Sequence, residues 1–407
     1  MRLKNLFGMA AMAALVLSGC SSDEVVENFS PENAIEFGTY VGRDAQSRAY
    51  VKEVEELAEE GFGVFAYYTH TTPFAQYTDT PNFMKNQLVQ GVKTTTGEGE
   101  EAETVYSTEN WTYTPLKYWP NNKEHMVTFL AYAPYDPNMT IKEGTNSTIE
   151  YNIPTTVTEQ KDILFVDQNS ATEEKYPSTI DVKKQDIEST VHFHFMHALS
   201  RIGFDAEVMV DEVNEDKTGE SNDGETQKQV ELDPATTITI NSVKLVGNFY
   251  ADGDLELKDG TWSDCSLPNK ATELTLSSND SFVNNANIFK STDDQNNRKL
   301  NNDNNYIMII PQDFTDVSKN GSLKIIVDYD VVTKDSAFDT AAEKGDGEVK
   351  VNNVIESDAF TVNFVQGQAY KFTLHLGMTS VKLSATVQGW GNEEDIAVNV
   401  PINTTSK

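Results

Sequence analysis

The sequence has few basic residues for its length. Its 407 residues include 31 Lys and Arg against 64 Asp and Glu, which gives a formal net charge of −33 at pH 7. Because phosphate binding needs clustered cations, this balance argues against nucleic acid as the main partner and against docking on anionic lipid through a basic patch. Aromatic residues still make up 10% of the chain, whereas disordered acidic chains contain few of them. We therefore expect a folded protein with an acidic surface.

Long apolar segments are also lacking. The run at residues 6–17 follows two basic residues and is too short to cross a bilayer as a permanent helix. We therefore interpret residues 1–19 as an export signal peptide. Residues 17–20 (LSGC) resemble a bacterial lipobox, which implies that Cys20 is acylated (palmitate) as the first residue of a lipoprotein. The alternative is a secretory signal cut elsewhere, with an incidental cysteine.

Cysteine is scarce as well. With Cys20 acylated, Cys265 has no partner for a disulfide, and we interpret it as a small buried apolar side chain. Residues 21–24 (SSDE) resemble the surface-export signal of Bacteroidetes lipoproteins, which implies a place on the outer face of the cell outer membrane. The alternative is a polar tether between the lipid and the fold.

What the chain does have is a series of short segments typical of β-strands, rich in Val, Ile, Thr, Tyr and Phe. They are residues 62–68, 126–133, 162–166, 190–195, 200–210, 237–246, 306–310, 323–332, 359–364, 369–376 and 381–387. Only residues 51–60 favour a helix. The polar segments 97–103, 211–233 and 292–305 favour loops. Many strands between polar turns predict an all-β fold of sandwiches or barrels, with a domain boundary near residue 185.

Two segments at opposite ends of the chain share one pattern. Each alternates so that four side chains lie on one face of a strand. In the first these are Ile35, Phe37, Thr39 and Val41, and in the second they are Ile396, Val398, Val400 and Ile402. Either segment is therefore able to fill the same kind of apolar groove.

The first segment is followed by a polar stretch that a protease can reach, residues 42–49. An Arg-specific enzyme cutting after Arg48, or alternatively after Arg43, releases the first segment and opens the groove. Four side chains at ~1.5–3 kcal/mol each leave roughly 6–12 kcal/mol of gross burial to recover. A strand from another molecule can recover it by donor-strand complementation. The alternative is that both segments are ordinary terminal strands.

The whole chain resembles the fimbrillins, the type V pilus subunits of Bacteroidales, and especially their minor-fimbrillin-like branch. The resemblance rests on the order and spacing of several segments. They are Cys20, residues 35–38 (IEFG), 48–49 (RA), 118–120 (YWP), 127–132 (VTFLAY), 162–166 (DILFV), 193–201 (FHFMHALSR) and 387–390 (VQGW).

This resemblance implies two transthyretin-like β-sandwich domains with long polar loops. It assigns a lipidated propeptide to 20–48, the domains to 49–185 and 186–390, and a donor-strand tail to 391–407. It also implies cleavage by an Arg-specific protease between Arg48 and Ala49. The expected partners are other fimbrial subunits, that protease and, before processing, the outer membrane.

Other candidate sites have simpler interpretations. The cluster His192, His194 and His197 has two histidines on one strand face but no assured third ligand, so we expect no metal. Residues 252–256 (DGDLE) start like a calcium loop but lack its sixth-position Gly and twelfth-position Glu. The aromatic cluster Trp111, Tyr113, Tyr118 and Trp119 favours a core rather than a glycan site. Asp335-Ser336-Ala337 and Asp339-Thr340-Ala341 resemble a Bacteroidetes O-glycosylation motif.

The sequence therefore predicts a structural subunit of a fimbrium that supports adhesion and is neither an enzyme nor dependent on a cofactor. The enzyme motifs HExxH and GxSxG are missing, as is a Gly-rich phosphate loop. The main alternative is a monomeric surface lipoprotein that binds a glycan or host ligand. A tip or anchor subunit of the fimbrium is a further alternative.

Overall fold

The fold is all-β, as predicted from the sequence. The structure, a computed structural model, describes residues 33–41, 48–96, 103–168, 177–184, 190–208, 236–277, 287–288, 297–299, 306–334, 348–376, 381–390 and 398–399. Its two α-helices are α1 (Arg48–Glu60) and α2 (Val317–Asn320). Two 3-10 turns cover Phe74–Gln76 and Val157–Glu159.

Eight strands, β1 to β8, are described in the first half of the chain. They are β1 (Glu36–Val41), β2 (Phe62–His70), β3 (Met84–Thr96), β4 (Glu103–Thr112), β5 (Met126–Ala133), β6 (Thr148–Asn152), β7 (Leu164–Val166) and β8 (Thr190–His197). Those of the second half are β9 (Ser200–Val208), β10 (Thr236–Gly247), β11 (Asp252–Glu256), β12 (Trp262–Ser266), β13 (Thr272–Ser277), β14 (Asn287–Ile288), β15 (Asn297–Lys299), β16 (Ile307–Ile309), β17 (Gln312–Asp313), β18 (Lys324–Lys334), β19 (Glu348–Glu356), β20 (Asn363–Phe364), β21 (Gln368–Leu376), β22 (Val381–Gly389) and β23 (Val398–Asn399).

The first half of the chain forms a sheet whose two edges approach each other. Its seven strands lie in the order β1-β8-β7-β5-β2-β3-β4. Neighbours are antiparallel except β1 and β8, which are parallel. Tyr113, directly after β4, donates a hydrogen bond to the carbonyl of Ile35, directly before β1. The sheet therefore curves around one core, which includes Phe37, Phe62, Phe129 and Phe193.

Most of the second half of the chain forms a sandwich of two sheets. One has the order β13-β10-β18-β19, with β14 beside β10, and the other has the order β15-β9-β21-β22-β23, with β16 beside β9. Alternate residues of both sheets meet in one apolar core, as the period of two in their sequences dictates. Members of this core include Phe204, Ile240, Val327 and Phe372.

A third core lies between the two halves. Apolar residues from both sides of the chain's midpoint pack there, including Phe65, Tyr132, Leu199, Leu255 and Trp390. A small sheet of order β12-β11-β6 also joins strands from the two halves. The indole N–H of Trp262 donates to the carbonyl of Ala198 at 2.8 Å, and the Gln366 amide donates to that of Gly260 at 2.7 Å. The halves therefore share buried contacts.

The chain passes from the first sheet to the second within a few residues. β8, ending at His197, belongs to the first sheet, and β9, starting at Ser200, belongs to the second. The predicted boundary near residue 185 precedes this passage, and residues 185–189 lie outside the described ones. The division into domains at that residue stays a prediction.

Most predicted strands are present, although several bounds differ. The prediction was wrong for most of 359–364, where only Asn363–Phe364 is a strand, and it missed several strands, among them β3, β4, β6, β13 and β19. The predicted loop 292–305 contains β15, which pairs with β9. Helix α1 begins at Arg48 rather than at residue 51. The predicted loop 211–233 lies outside the described residues.

Candidate assembly site around the first strand

Strand β1 lies at one edge of the first sheet and pairs in parallel with β8. The register runs from Glu36 opposite Thr190 to Val41 opposite Phe195. Only the residues just before β1 are also bonded on the other side, where the amide of Ile35 donates to the carbonyl of Lys117 at 2.9 Å. Within the described residues, β1 therefore forms ladder hydrogen bonds with a single strand. A strand in this position can leave without opening any other strand pair.

Two of the four side chains predicted to point inward from the first segment, one in β1 and one directly before it, are fully packed. Ile35 is 1% exposed and Phe37 is 5% exposed. The Phe37 ring stacks on Phe193 with centroids 5.4 Å apart and lies 5.2 Å from Tyr113 and 5.8 Å from Phe129. Thr39 is half-buried, and the side chain of Val41 lies outside the described set. The apolar seat of β1 is therefore centred on Phe37.

Tyr113 closes this seat from the far end of the same sheet. Its hydroxyl donates to the Ile35 carbonyl at 2.9 Å and accepts from the Lys117 amide at 3.2 Å. Burial raises the pKa of Tyr113 to about 12, although the bond from the Lys117 amide works in the opposite direction. The phenol thus stays protonated and donating at neutral pH.

The ring of His192 lies so close to the backbone of β1 that glycine is needed at the middle of this strand. A side-chain carbon at Gly38 would lie 2.5 Å from Nδ1 of His192 on the neighbouring strand. Real Cβ atoms do not come that close, so the ring of His192 occupies the space that any other residue would need. Burial also lowers the pKa of His192, which favours the neutral ring.

The histidine cluster is divided between different contacts. His194 is buried, and His197 pairs through Nδ1 with the carboxylate of Asp162. In the part of the chain that the structure describes, no three His, Cys, Asp or Glu side chains come together in a way that could hold a metal ion. The structure therefore gives these histidines packing and hydrogen-bonding roles.

The predicted cleavage site coincides with the start of a helix. Arg48 is the first residue of α1 and Ala49 follows it, while Arg43 lies outside the described residues. Later residues of α1 pack into the first core through Leu57, with Ala58 also fully buried. The Arg48–Ala49 bond thus lies in the first helical turn, which must unwind before a protease can cut it. This turn opens readily because its first N–H groups have no helical partners.

The predicted donor segment enters the described residues only at Val398 and Asn399. These two form β23, the edge of the second half's sheet, where Val398 pairs with Val387 and Asn399 with Thr386 of β22. Ile396, Val400 and Ile402 lie outside the described residues, and so does Cys20. The backbone of β23 is held by only two residue pairs among those described.

The remaining candidates have structural roles. Trp119 and Tyr113 are buried in the first core, as favoured for the aromatic cluster, and Trp111 packs against Phe62 at 5.2 Å. Asp254 of the calcium-like segment is buried in β11 and forms an ion pair with Lys142.

Cys265 is less buried than predicted, and the glycosylation motifs stay a prediction. Cys265 is half-buried, and burial raises the pKa of its thiol. The two O-glycosylation motifs lie outside the described residues.

Sequence reasoning missed how the seat of β1 is completed. Tyr113 and the segment 117–119 reach β1 from the other edge of the sheet, where the Trp119 amide donates to the Asn33 carbonyl at 3.0 Å. The only signal in the sequence was the density of aromatic residues between 111 and 119, which indicated a buried core but not that this segment packs against β1.

Comparisons with known proteins agree with this architecture. The family model described as fimbrillin-like matches residues 47–390. The chain belongs to the fimbrillin-like family. The resemblance found in the sequence is therefore confirmed.

Two individual relatives add to this. The chain is 27% identical over 435 residues to "Fimbrium subunit Fim1C" of Phocaeicola vulgatus, an alignment that covers 98% of this chain and 100% of that protein. Its fold is similar to the crystal structure of a fimbrial protein from Bacteroides vulgatus, with a TM-score of 0.57 and 19% identity over 88% of this chain and 99% of that one. Among the described residues, no helix is long and apolar enough to cross a membrane.

Proposed function

We propose that this chain is a structural subunit of a cell-surface fimbrium that polymerises by donor-strand exchange. It is exported as a lipoprotein acylated on Cys20, cut after Arg48 and joined to other subunits through its C-terminal tail. The observation that carries the proposal is the setting of β1, an apolar edge strand bonded to one neighbour and followed by the Arg junction. Membership of the fimbrillin-like family and the likeness to a fimbrium subunit support it.

Removal of β1 leaves a specific vacancy. The ladder edge of β8 loses its partner along the six register pairs from Glu36 to Val41. Burial of Ile35 and Phe37 alone accounts for roughly 3–6 kcal/mol of gross stabilisation, at ~1.5–3 kcal/mol for each side chain. An incoming strand must therefore supply both main-chain hydrogen bonds and alternating apolar side chains.

The C-terminal tail has the pattern that this vacancy requires. Ile396, Val398, Val400 and Ile402 alternate with other residues, as Ile35, Phe37, Thr39 and Val41 do. In the subunit itself the described part of the tail, Val398 and Asn399, pairs with β22 at the edge of its sheet. Exchange transfers the tail from this edge to the ladder edge of β8 in another subunit.

The acidic body suits assembly by this route. A net charge of −33 makes unspecific association of subunits unfavourable. The groove becomes available only after cleavage, so the attractive contact is limited to one site. We infer a structural rather than an enzymatic role on the cell surface, with other fimbrial subunits as partners.

The test is controlled cleavage of the purified soluble precursor, residues 21–407. Trypsin treatment should give a ladder of detergent-resistant oligomers, and the subunits in it should begin with Ala49. Val398→Asp should abolish the ladder because a charge cannot enter the Phe37 pocket, whereas Asn399→Asp, on the opposite face, should leave it unchanged.

Other outcomes separate the alternatives. A ladder that survives deletion of residues 391–407 would rule out the tail as donor. Cleaved protein that stays monomeric would favour a monomeric surface lipoprotein binding a glycan or host ligand. Acylated Cys20 at the N-terminus of the protein on cells would indicate an anchor subunit, and Asp44 would move the cut to Arg43.

A further inference from the structure

Trp390 occupies an unusual position between the body of the protein and its C-terminal tail. It follows β22 directly and is 9% exposed. Its amide donates to the carbonyl of Gly367 at 2.9 Å. Its ring is stacked on that of His197, with centroids 4.0 Å apart and planes 6° from parallel. The guanidinium carbon of Arg201 lies 5.0 Å from the ring centroid.

The neighbours of Trp390 are themselves held in place. His197 pairs with the carboxylate of Asp162, and the Arg201 guanidinium lies 4.5 Å over the ring of Tyr306. The amide of Gly367 donates to the carbonyl of Leu199 at 2.9 Å. We call Trp390, His197, Arg201, Asp162 and Tyr306 the Trp390 cluster. It brings together residues of the first sheet and of the second half in the core that both share.

The strand that leads into this cluster is paired along its whole length. Before Trp390, β22 pairs with β21 over nine residues, from Val381 opposite Leu376 to Gly389 opposite Gln368. After it, the described residues contribute two pairs, both in β23. Aromatic stacking and cation–π contacts add to the burial of the indole. Displacement of β22 would therefore have to break both this ladder and the contacts of the Trp390 ring.

We propose that Trp390 is the fixed base of the C-terminal tail, so that displacement of the tail stops there and β22 stays in its sheet. The inference rests on the proposed function of the tail as donor strand. From Trp390 to Val398 the chain spans at most about 26–29 Å, at ~3.3–3.6 Å per residue. A fixed base therefore limits how far, and in which direction, one subunit can lie from the next. Trp390 is a positioning residue for assembly.

Hydrogen exchange of the uncleaved precursor tests the base directly. In Trp390→Ala, the amides of residues 381–389 should exchange at least about tenfold faster. Each decrease of 1.4 kcal/mol in the free energy of local opening raises the exchange rate by a factor of ten. Trp390→Phe keeps the stack on His197 and should restore most of the protection. If Trp390→Ala does not fold, His197→Leu removes the same stack and should give the same local increase.

Trp262→Ala is the matched control. Trp262 packs in the same shared core and donates to the Ala198 carbonyl, but it lies outside the Trp390 cluster. It should lower the midpoint of thermal unfolding without a selective increase at residues 381–389. Equal increases in both alanine variants, or no increase in Trp390→Ala, would overturn the inference.

The cleaved polymers give a second readout. Electron micrographs of Trp390→Ala polymers should show more curvature and more variable subunit spacing than those of the wild type, Trp390→Phe and Trp262→Ala. Straight polymers with wild-type spacing would contradict a positioning role. Failure of the donor-strand proposal is distinguishable from failure of this inference. If the tail is not the donor, deletion of residues 391–407 leaves assembly intact, whereas the hydrogen-exchange comparison still tests whether Trp390 holds β22 in place.

Discussion

Phe37 offers the sharpest test of the first strand, because the loss of stability caused by its replacement should disappear on assembly. Its ring is almost fully buried and lies within 5.8 Å of the rings of Phe193, Tyr113 and Phe129. Truncation of a buried Phe to Ala usually costs ~3–5 kcal/mol, including the cavity that remains. We expect Phe37→Ala to lower the free energy of unfolding of the uncleaved precursor by about that amount.

Urea unfolding followed by tryptophan fluorescence measures this change. Glu36→Ala is the matched control, since Glu36 is the exposed neighbour in the same strand and its replacement should change stability by no more than about 0.5 kcal/mol. After cleavage the mutated strand is no longer part of the subunit. Polymers of the Phe37→Ala variant should therefore match wild-type polymers in resistance to heat and detergent.

The reasoning also predicts a kinetic effect. A weaker seat lets β1 leave more readily, so the cleaved Phe37→Ala subunit should polymerise faster than the wild type. A loss below about 1 kcal/mol in the precursor would refute the packing argument, because so small a value does not fit a buried aromatic ring. An equal destabilisation of the polymer would show that β1 remains in the assembled subunit.

Two further predictions concern the glycine turn at the shared core and the tyrosine beside β1. Gly260 has φ +74°, and a Cβ there would lie 2.1 Å from the Phe165 ring, so Gly260→Ala should cost more than ~2 kcal/mol in thermal unfolding. Gly144→Ala, at φ +80° with open space around it, should cost only ~1 kcal/mol, and equal losses would argue against the clash. Because the pKa of Tyr113 is raised to about 12, the contribution of this side chain to the free energy of unfolding is fully present below pH 10. This contribution is lost as the pH rises from 10 to 12. The stability difference between wild type and Tyr113→Phe should shrink over that range, and a constant difference would contradict the burial that raises the pKa of Tyr113.

Much of the local structure follows from pattern alone. The alternation of Ile35, Phe37 and Thr39 predicted which face of β1 is buried, since successive side chains in a strand point to opposite sides. β5 was found because it is a nearly continuous apolar run, and β21 because Tyr370, Phe372 and Leu374 alternate along it. β3 and β4 were missed because polar residues outnumber apolar ones in both, so no period of two marks a buried face.

Other features depend on residues far apart in the chain. Nothing near Phe37 indicates that Phe193 stacks on it or that Tyr113 closes the seat, because strand pairing is non-local and a pattern specifies a face rather than a neighbour. The Trp390 cluster is a stronger case. His197, Arg201 and Asp162 carry no common sequence signal, and only the packing of both halves brings them together.

The sequence by itself determined that this protein is acidic, all-β and similar to fimbrillins, and that its two ends carry segments with the same alternating pattern. Composition and a period of two are local properties, so they do not depend on where a strand lies in the fold. Only the tertiary structure decided that β1 is a parallel edge strand beside β8 and that Trp390 is buried directly after β22. Both depend on which strands become neighbours, and this is selected by the summed burial of the whole chain rather than by any segment within it.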